Sequence, residues 1–292
     1  MNRRNFLQSP LLMPVLSGSG VAAAAPPKFR LSLAEWSLHK AIQAHLIGNQ
    51  DFPRIAREQF GIEGLEFVNQ LWDAPTASYV QRLKANMQKT GTQGVLIMVD
   101  LEGQMGHSVK TERMRAAQNH YKWVDIAAEL GCHAIRANMY SDQTLTTSAG
   151  VQSLIDCCAE SFANLCEYAA RQKLSVLIEN HGGLSSDPDV LVRLMKTVNL
   201  PNFGTLPDFG NFPKEIDRYE AVTKLMPFAK GVSYKCNDFG ADGQETVLDT
   251  ARMMKIVLEA GYSGRVGIEF EGTRLTEFEG VQAAKRLLEP LL

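Results

Sequence analysis

Cysteine is scarce and badly spaced for structural use. The five thiols, Cys132, Cys157, Cys158, Cys166 and Cys236, are odd in number and include no Cys-x-x-Cys pair. That argues against a disulfide framework and a thiolate zinc site. Cys157, Cys158 and Cys166 fall in a helical pattern and read as small buried residues. An excess of one charge is also missing: 30 Lys and Arg stand against 32 Asp and Glu, a formal −2. No global basic surface favours nucleic acid or an anionic membrane as a partner. The first strand pattern is not followed by a Gly-x-Gly-x-x-Gly turn, and neither a P-loop nor a serine nucleophile elbow occurs. This counts against a doubly wound dinucleotide fold and leaves no serine-nucleophile or P-loop motif to feed another class. After the N-terminal segment, no run approaches the ~20 apolar residues of a membrane span.

What remains is ordinary globular composition, 45% hydrophobic and 21% charged over 292 residues, enough for a large core. The first residues read as an address. Arg3-Arg4 precedes Phe6-Leu7, a weakly apolar run spans Pro10 to Val21, and Ala22–Ala25 supplies small residues for cleavage. This order predicts a twin-arginine export signal over residues 1–25, with the folded domain over 26–292 and the periplasm as its place of work.

The stretch Leu174 to Gly183 organises the rest. An apolar β-branched run ends in Glu179, Asn180 and His181, then a glycine pair lets the chain turn away. Asn202–Asp208, Ala229–Lys235 and Arg265–Phe270 repeat the pattern of a strand ending in polar residues. Earlier strands are predicted over Phe29–Trp36, Gly61–Val68, Gly94–Val99 and Cys132–Met139. Helical periodicity separates them, including a long helix over Glu112–Leu130, one at Pro188 capped by Asp187, and one over Thr246–Ala260. Eight strand-then-helix units in one chain of this size predict a single (β/α)8 TIM barrel with a parallel eight-stranded core.

In such a barrel the working residues sit where strands end. Glu179, Asp208 and Glu269 arrive at matching depth from strands five, six and eight. Like charges so placed raise each other's pKa unless a cation joins them. A divalent ion answers this, and oxygen-rich ligation favours Mn²⁺ or Mg²⁺ over Co²⁺ or Zn²⁺. A rim of structural salt bridges is the plainer alternative. Lys235 and Arg136 are candidate electrostatic partners, each equally readable as a core ion pair. Trp36 and Phe209 are candidate walls for the apolar face of a sugar, and Glu66, Asn138, Asn211 and Ser233 are further candidate substrate contacts.

Four motifs carry a family resemblance. They are Ser32–Ser37 (Ser-Leu-Ala-Glu-Trp-Ser), Ile178–Gly183 (Ile-Glu-Asn-His-Gly-Gly), Leu206–Phe212 (Leu-Pro-Asp-Phe-Gly-Asn-Phe) and Gly267–Glu271 (Gly-Ile-Glu-Phe-Glu). In order and spacing the chain resembles the xylose-isomerase-like barrels of sugar isomerases and epimerases, in particular an exported sugar phosphate isomerase/epimerase group. The resemblance implies a metal held by Glu179, Asp208 and Glu269. It also implies proton transfer by Glu179 and Glu269 at a carbon beside a carbonyl, through an enediolate. Relatives carry a His on strand seven, where this chain has Ser233. His181, Asn211, a water or Ser233 itself is left as the fourth ligand, or metal binding is weakened. His181 is equally readable as a loop residue bonded to backbone. The expected function is therefore a metal-dependent sugar or cyclitol isomerase/epimerase, with Glu179, Glu269 and Lys235 catalytic and a small carbohydrate as substrate. A lyase or hydratase acting on a keto sugar or glycoside, and a sugar-binding barrel without chemistry, are the alternatives. A homo-oligomer is compatible with the sequence.

Overall fold

The computed structural model describes residues 28–143 and 145–292. The expected leader, residues 1–25, lies outside the described residues. The strands are β1 Arg30–Ala34, β2 Gly64–Val68, β3 Gln93–Met98, β4 Ala134–Ala137, β5 Ser175–Glu179, β6 Phe203–Leu206, β7 Val232–Cys236 and β8 Arg265–Phe270. Helices α1 His39–Gln43 and α2 Phe52–Phe60 follow β1, α3 Ala77–Thr90 follows β2, and α4 Lys110–Asn119 with α5 Tyr121–Glu129 follow β3. After β4 to β8 come, in turn, α6 Ser148–Arg171, α7 Pro188–Val198, α8 Arg218–Leu225, α9 Thr250–Glu259 and α10 Glu277–Leu288.

All paired neighbours are parallel, in the order β6-β5-β4-β3-β2-β1-β8-β7. The barrel closes between β6 and β7 through single bridges, Thr205 with Ala229 and Asp208 with Ser233. Three backbone bonds cross that seam: Lys230 N–H to Thr205 O (3.0 Å), Ser233 N–H to Pro207 O (2.9 Å) and Phe209 N–H to Ser233 O (3.1 Å). Pro207 has no N–H to give, so the ladder is interrupted there. The fold is the expected (β/α)8 TIM barrel.

Alternation decides what fills it. A Cβ on Gly231 would lie 2.7 Å from Leu206 and 3.2 Å from Leu177, with Leu96 just beyond, so the missing side chain lets these leucines of β6, β5 and β3 meet inside. Two residues further along β5 and β6, the inward positions carry Glu179 and Asp208. The opposite strand faces pack on helices. In α7 the buried Val190, Leu191, Leu194, Met195 and Val198 are each worth about 1.5–3 kcal/mol when fully covered. That helix starts as expected, with Asp187 accepting from the N–H groups of Asp189 and Val190 and Pro188 in the first turn.

Two helix expectations are corrected. The segment 112–130 is two helices, because the N–H groups of His120 and Trp123 take acceptors three residues back, at 3.2 and 3.0 Å. This tighter turn re-aims α5. The segment 246–260 is helical only from Thr250. Asp249 caps it by accepting from Arg252 N–H at 3.0 Å, while Glu245 takes the N–H groups of Val247 and Leu248. The five cysteines are free thiols. Among the described residues no helix is long and apolar enough to cross a membrane.

Candidate active site

The ends of β3 to β8 deliver a buried ionic cluster to one mouth. Glu179, Asp208, Glu269, Lys235 and Arg136 are each at most 7% exposed. Lys235 Nζ lies 3.1 Å from Glu269 Oε1 and 2.6 Å from Glu271 Oε2. Glu271 also accepts from Trp36 Nε1 at 3.0 Å, so a chain of polar contacts runs from the rim inward. Arg136 Nη1 donates to Asp100 at 2.7 Å. Its Nε lies 2.8 Å from Glu179 Oε2, an ion contact whose N–H is not aimed along a hydrogen bond. Glu179 Oε1 accepts from Asn211 Nδ2 at 2.9 Å. Ser233 Oγ donates to Asp208 Oδ2 at 2.8 Å, with Glu269 Oε2 at 3.4 Å.

Two asparagines that the sequence reading left without a role hold this geometry. Asn180 accepts the N–H of Asp208 and donates to its carbonyl, both at 2.8 Å. Asn69 does the same to Asp100, both at 2.9 Å. Each amide imitates a strand-to-strand pairing one step past the strand end, and each fixes an aspartate at the mouth. The sequence signal was faint: an amide beside an inward carboxylate at a strand end.

Burial sets the protonation pattern. It pushes Glu179 up to about 7; Arg136 opposes this and Glu269 reinforces it. Asp208 is raised well above the ordinary carboxylate range, first by burial, against Lys235 and with the help of Glu179 and Glu269. Burial also works against the charge on Asp100, but Arg136 outweighs it and holds that carboxyl low. Lys235 is the reverse case, since desolvation disfavours its ammonium while Glu269, Asp208 and Glu271 more than offset that and raise its pKa.

A cleft of about 140 Å³ opens over the cluster, lined in part by Trp36, Asp100, Leu101, Arg136, His181 and Glu269. Trp36 and Arg136 therefore stand where substrate contacts are expected. Asn211 and Ser233 hold carboxylates rather than line the cleft, and Asn138 donates to Asp100 at 2.5 Å. Glu66 lies deeper, accepting from Ser32 Oγ at 2.6 Å, with its Oε2 unpaired. Phe209 is corrected as a wall: it is fully buried and packs edge-on to Tyr234 at 6.2 Å. Leu101, exposed and at φ 61°, overlooks the cleft instead. Tyr140, also unforeseen, bonds His181 Nδ1 through its hydroxyl at 2.9 Å.

A hard divalent ion fits this donor set in kind. There are three carboxyl groups, an Oε2 of Glu179 without an aligned hydrogen bond, and more buried carboxyl groups than buried cationic ones. Among the described residues, no three His, Cys, Asp or Glu side chains are drawn together at ligand spacing. His181 Nδ1 is engaged with the Tyr140 hydroxyl, and the ring lines the same cleft as Asp100 and Glu269.

Residues 54–291 match the family model described as xylose isomerase-like TIM barrel. The chain belongs to the xylose isomerase-like TIM barrel family. Solved structures of similar shape include the 3-keto-D-glucoside 4-epimerase of E. coli, at 17% identity and TM-score 0.65 over 91% of this chain and 99% of that one. A xylose isomerase-like barrel from Mycobacterium smegmatis, solved with magnesium, matches at 15% and 0.66 over 92% and 100%. The IOLI protein with a bound zinc atom matches at 15% and 0.70 over 90% and 98%. At these identities the likeness concerns the fold. No curated protein sequence matches.

Proposed function

We propose that this xylose isomerase-like barrel is a carbohydrate isomerase or epimerase that moves a proton at a carbon beside a carbonyl. One observation carries the reading. Glu179 and Glu269, from β5 and β8, are both buried at one mouth and both contact a buried cation. Glu179, pushed up to about 7, is available at neutral pH both as a base and as an acid. The similar structures named for an epimerase and for xylose isomerase domains support the same reaction class.

In this reading Glu179 takes the proton as the C–H bond breaks, and the electron pair moves onto the carbonyl oxygen as an enediolate. The Lys235 ammonium, beside Glu269, faces the developing negative charge. Glu269, protonated from solvent before this step, gives that proton to the opposite face for epimerisation, or to the neighbouring carbon for isomerisation as the hydroxyl proton passes to the former carbonyl oxygen; Glu179 then loses its proton to solvent, which resets the pair. Arg136, fixed by Asp100, holds Glu179 in place, and Trp36 with Leu101 offers apolar surface to the sugar. A divalent ion, Mn²⁺ or Mg²⁺ before Co²⁺ or Zn²⁺, would be held by Glu179, Asp208 and Glu269. When bound, it would supply Lewis-acid stabilisation of the oxygen charge.

The test is solvent deuterium wash-in by NMR, over free ketoses and 3-keto-glycosides. Wild-type protein is expected to label the carbon beside the carbonyl, and Glu179→Gln or Glu269→Gln to lower the rate at least about 100-fold. Undiminished exchange in both variants would sink the proposal, and loss of a substituent from the product would mark a lyase instead. The proposal keeps the periplasm as its setting. Cell fractionation of the full chain that recovers it only from the cytoplasm would remove that part.

A further inference from the structure

The cleft at the mouth has a second compartment. Tyr140 and His181 line the small cleft and also a neighbouring groove of about 500 Å³. Their hydroxyl and imidazole are joined at 2.9 Å, with the rings edge to face at 6.3 Å between centroids. The two spaces thus share a wall of two amphipathic rings. Alone, the carboxylate compartment of about 140 Å³ falls below the ~300 Å³ at which small-molecule pockets usually begin. With the groove added, the site enters the ordinary range.

The two compartments differ in chemistry. The first presents Asp100, Arg136 and Glu269. The second is lined by Met139, Leu145, Leu154 and Leu184 and, among the described residues, by no Lys, Arg, Asp or Glu. Part of its lining is bare backbone. Gly182 and Gly183 take φ of 83° and 57°, and a Cβ on either would meet nothing within 4 Å. That surface admits a flat ring.

A glycine turn of this kind often binds phosphate through free amides. Here two of those amides are already engaged: His181 N–H donates to Ser185 Oγ at 2.9 Å, and Gly182 N–H donates to Ser186 Oγ at 3.0 Å. Arg136, in the adjoining compartment, is held between Asp100 and Glu179. A phosphate would find neither a free amide at these two positions nor a free charge.

We infer that the groove is a subsite for an apolar, ring-bearing substituent on an unphosphorylated sugar, so that the substrate is a keto sugar bearing an aryl group in glycosidic linkage, for which unoxidised aryl glycosides serve as unreactive binding probes. The inference rests on the reading of the carboxylate compartment as the sugar end. The experiment is calorimetric binding to the full chain, using p-nitrophenyl and methyl glycosides of the gluco, galacto and manno series together with the hexose 6-phosphates. At least one aryl glycoside is expected to bind tenfold or more tighter than its methyl counterpart. Leu184→Asp, checked for an unchanged circular-dichroism melt, is expected to bring that ratio close to one, and Leu184→Ala to lower it less. Three results would each overturn the inference: no aryl preference in any series, a preference that survives Leu184→Asp, or hexose phosphates binding tighter than the aryl glycosides. Binding preference is read without turnover. An aryl preference without deuterium wash-in would therefore sink the isomerase proposal and leave the subsite standing.

Discussion

Replacing Glu66 by Gln isolates one buried acid beneath the reactive cluster. Burial raises its carboxyl from 4.5 to about 8; Ser32 offsets part of this, and Glu269 and Glu179 add to it. In the folded chain the group is thus a neutral acid through the physiological range, and a Gln amide has nearly its shape. The sign follows from linkage. A folded-state pKa above the unfolded value gives stability that is complete below pH 4.5 and is lost as pH rises towards 8. Between these limits the loss is about 1.4 kcal/mol per pH unit, or about 5 kcal/mol over the whole interval. Gln does not titrate. Urea denaturation at pH 5, 6, 7 and 8 is therefore expected to show Glu66→Gln gaining on wild type at about that slope. Glu35, also raised to about 8 by burial, contributes equally to both proteins and cancels in the difference. Ser32 Oγ can still donate to the amide oxygen, and the unpaired Oε2 becomes an unpaired amide NH₂, so the pH-independent offset is small. Parallel curves for the two proteins across this range would refute the reasoning.

Lys235→Met strands Glu269 without its cation and is expected to cost about 3–5 kcal/mol, most of which Lys235→Met/Glu269→Gln recovers; a double variant less stable than the single one in urea would contradict this. Asn180→Ala removes two bonds to the Asp208 backbone and leaves buried groups unmet, so a loss of about 2–4 kcal/mol is expected; an unchanged denaturation midpoint would count against the clamp. A divalent ion at a hundredfold its Kd is expected to stabilise the chain by about 2.7 kcal/mol, and Asp208→Asn to remove that gain. No thermal shift with Mn²⁺, Mg²⁺, Co²⁺ or Zn²⁺ would end the metal expectation.

The barrel was legible because each strand is a local event: an apolar run, then polar residues at its end, then helical periodicity. Glu179, Asp208, Glu269, Lys235 and Arg136 were found by reading strand ends alone, since parallel strands put those ends on one face. What the residues touch was not legible. That His181 Nδ1 meets Tyr140 depends on the course of the loop after β5 and on a residue 41 positions earlier. The roles of Asn69 and Asn180 depend on the register of the next strand. Phe209 was misplaced because it follows the inward Asp208 and so, by alternation, turns outward, where it packs on Tyr234. The break at His120 lies within an unbroken helical pattern, and only the buried contacts of that residue explain it.

A closed sheet has no free edge to offer another chain, and proteins with open sheets must blunt theirs by other means. Here the last two edges meet where Asp208 faces Ser233, and the side-chain bond between them reinforces a single backbone bridge. The carboxylate and hydroxyl that furnish the mouth therefore also guard the edges of β6 and β7 from pairing elsewhere. A substitution made there to change the chemistry alters, in the same step, how well the sheet is sealed against its neighbours.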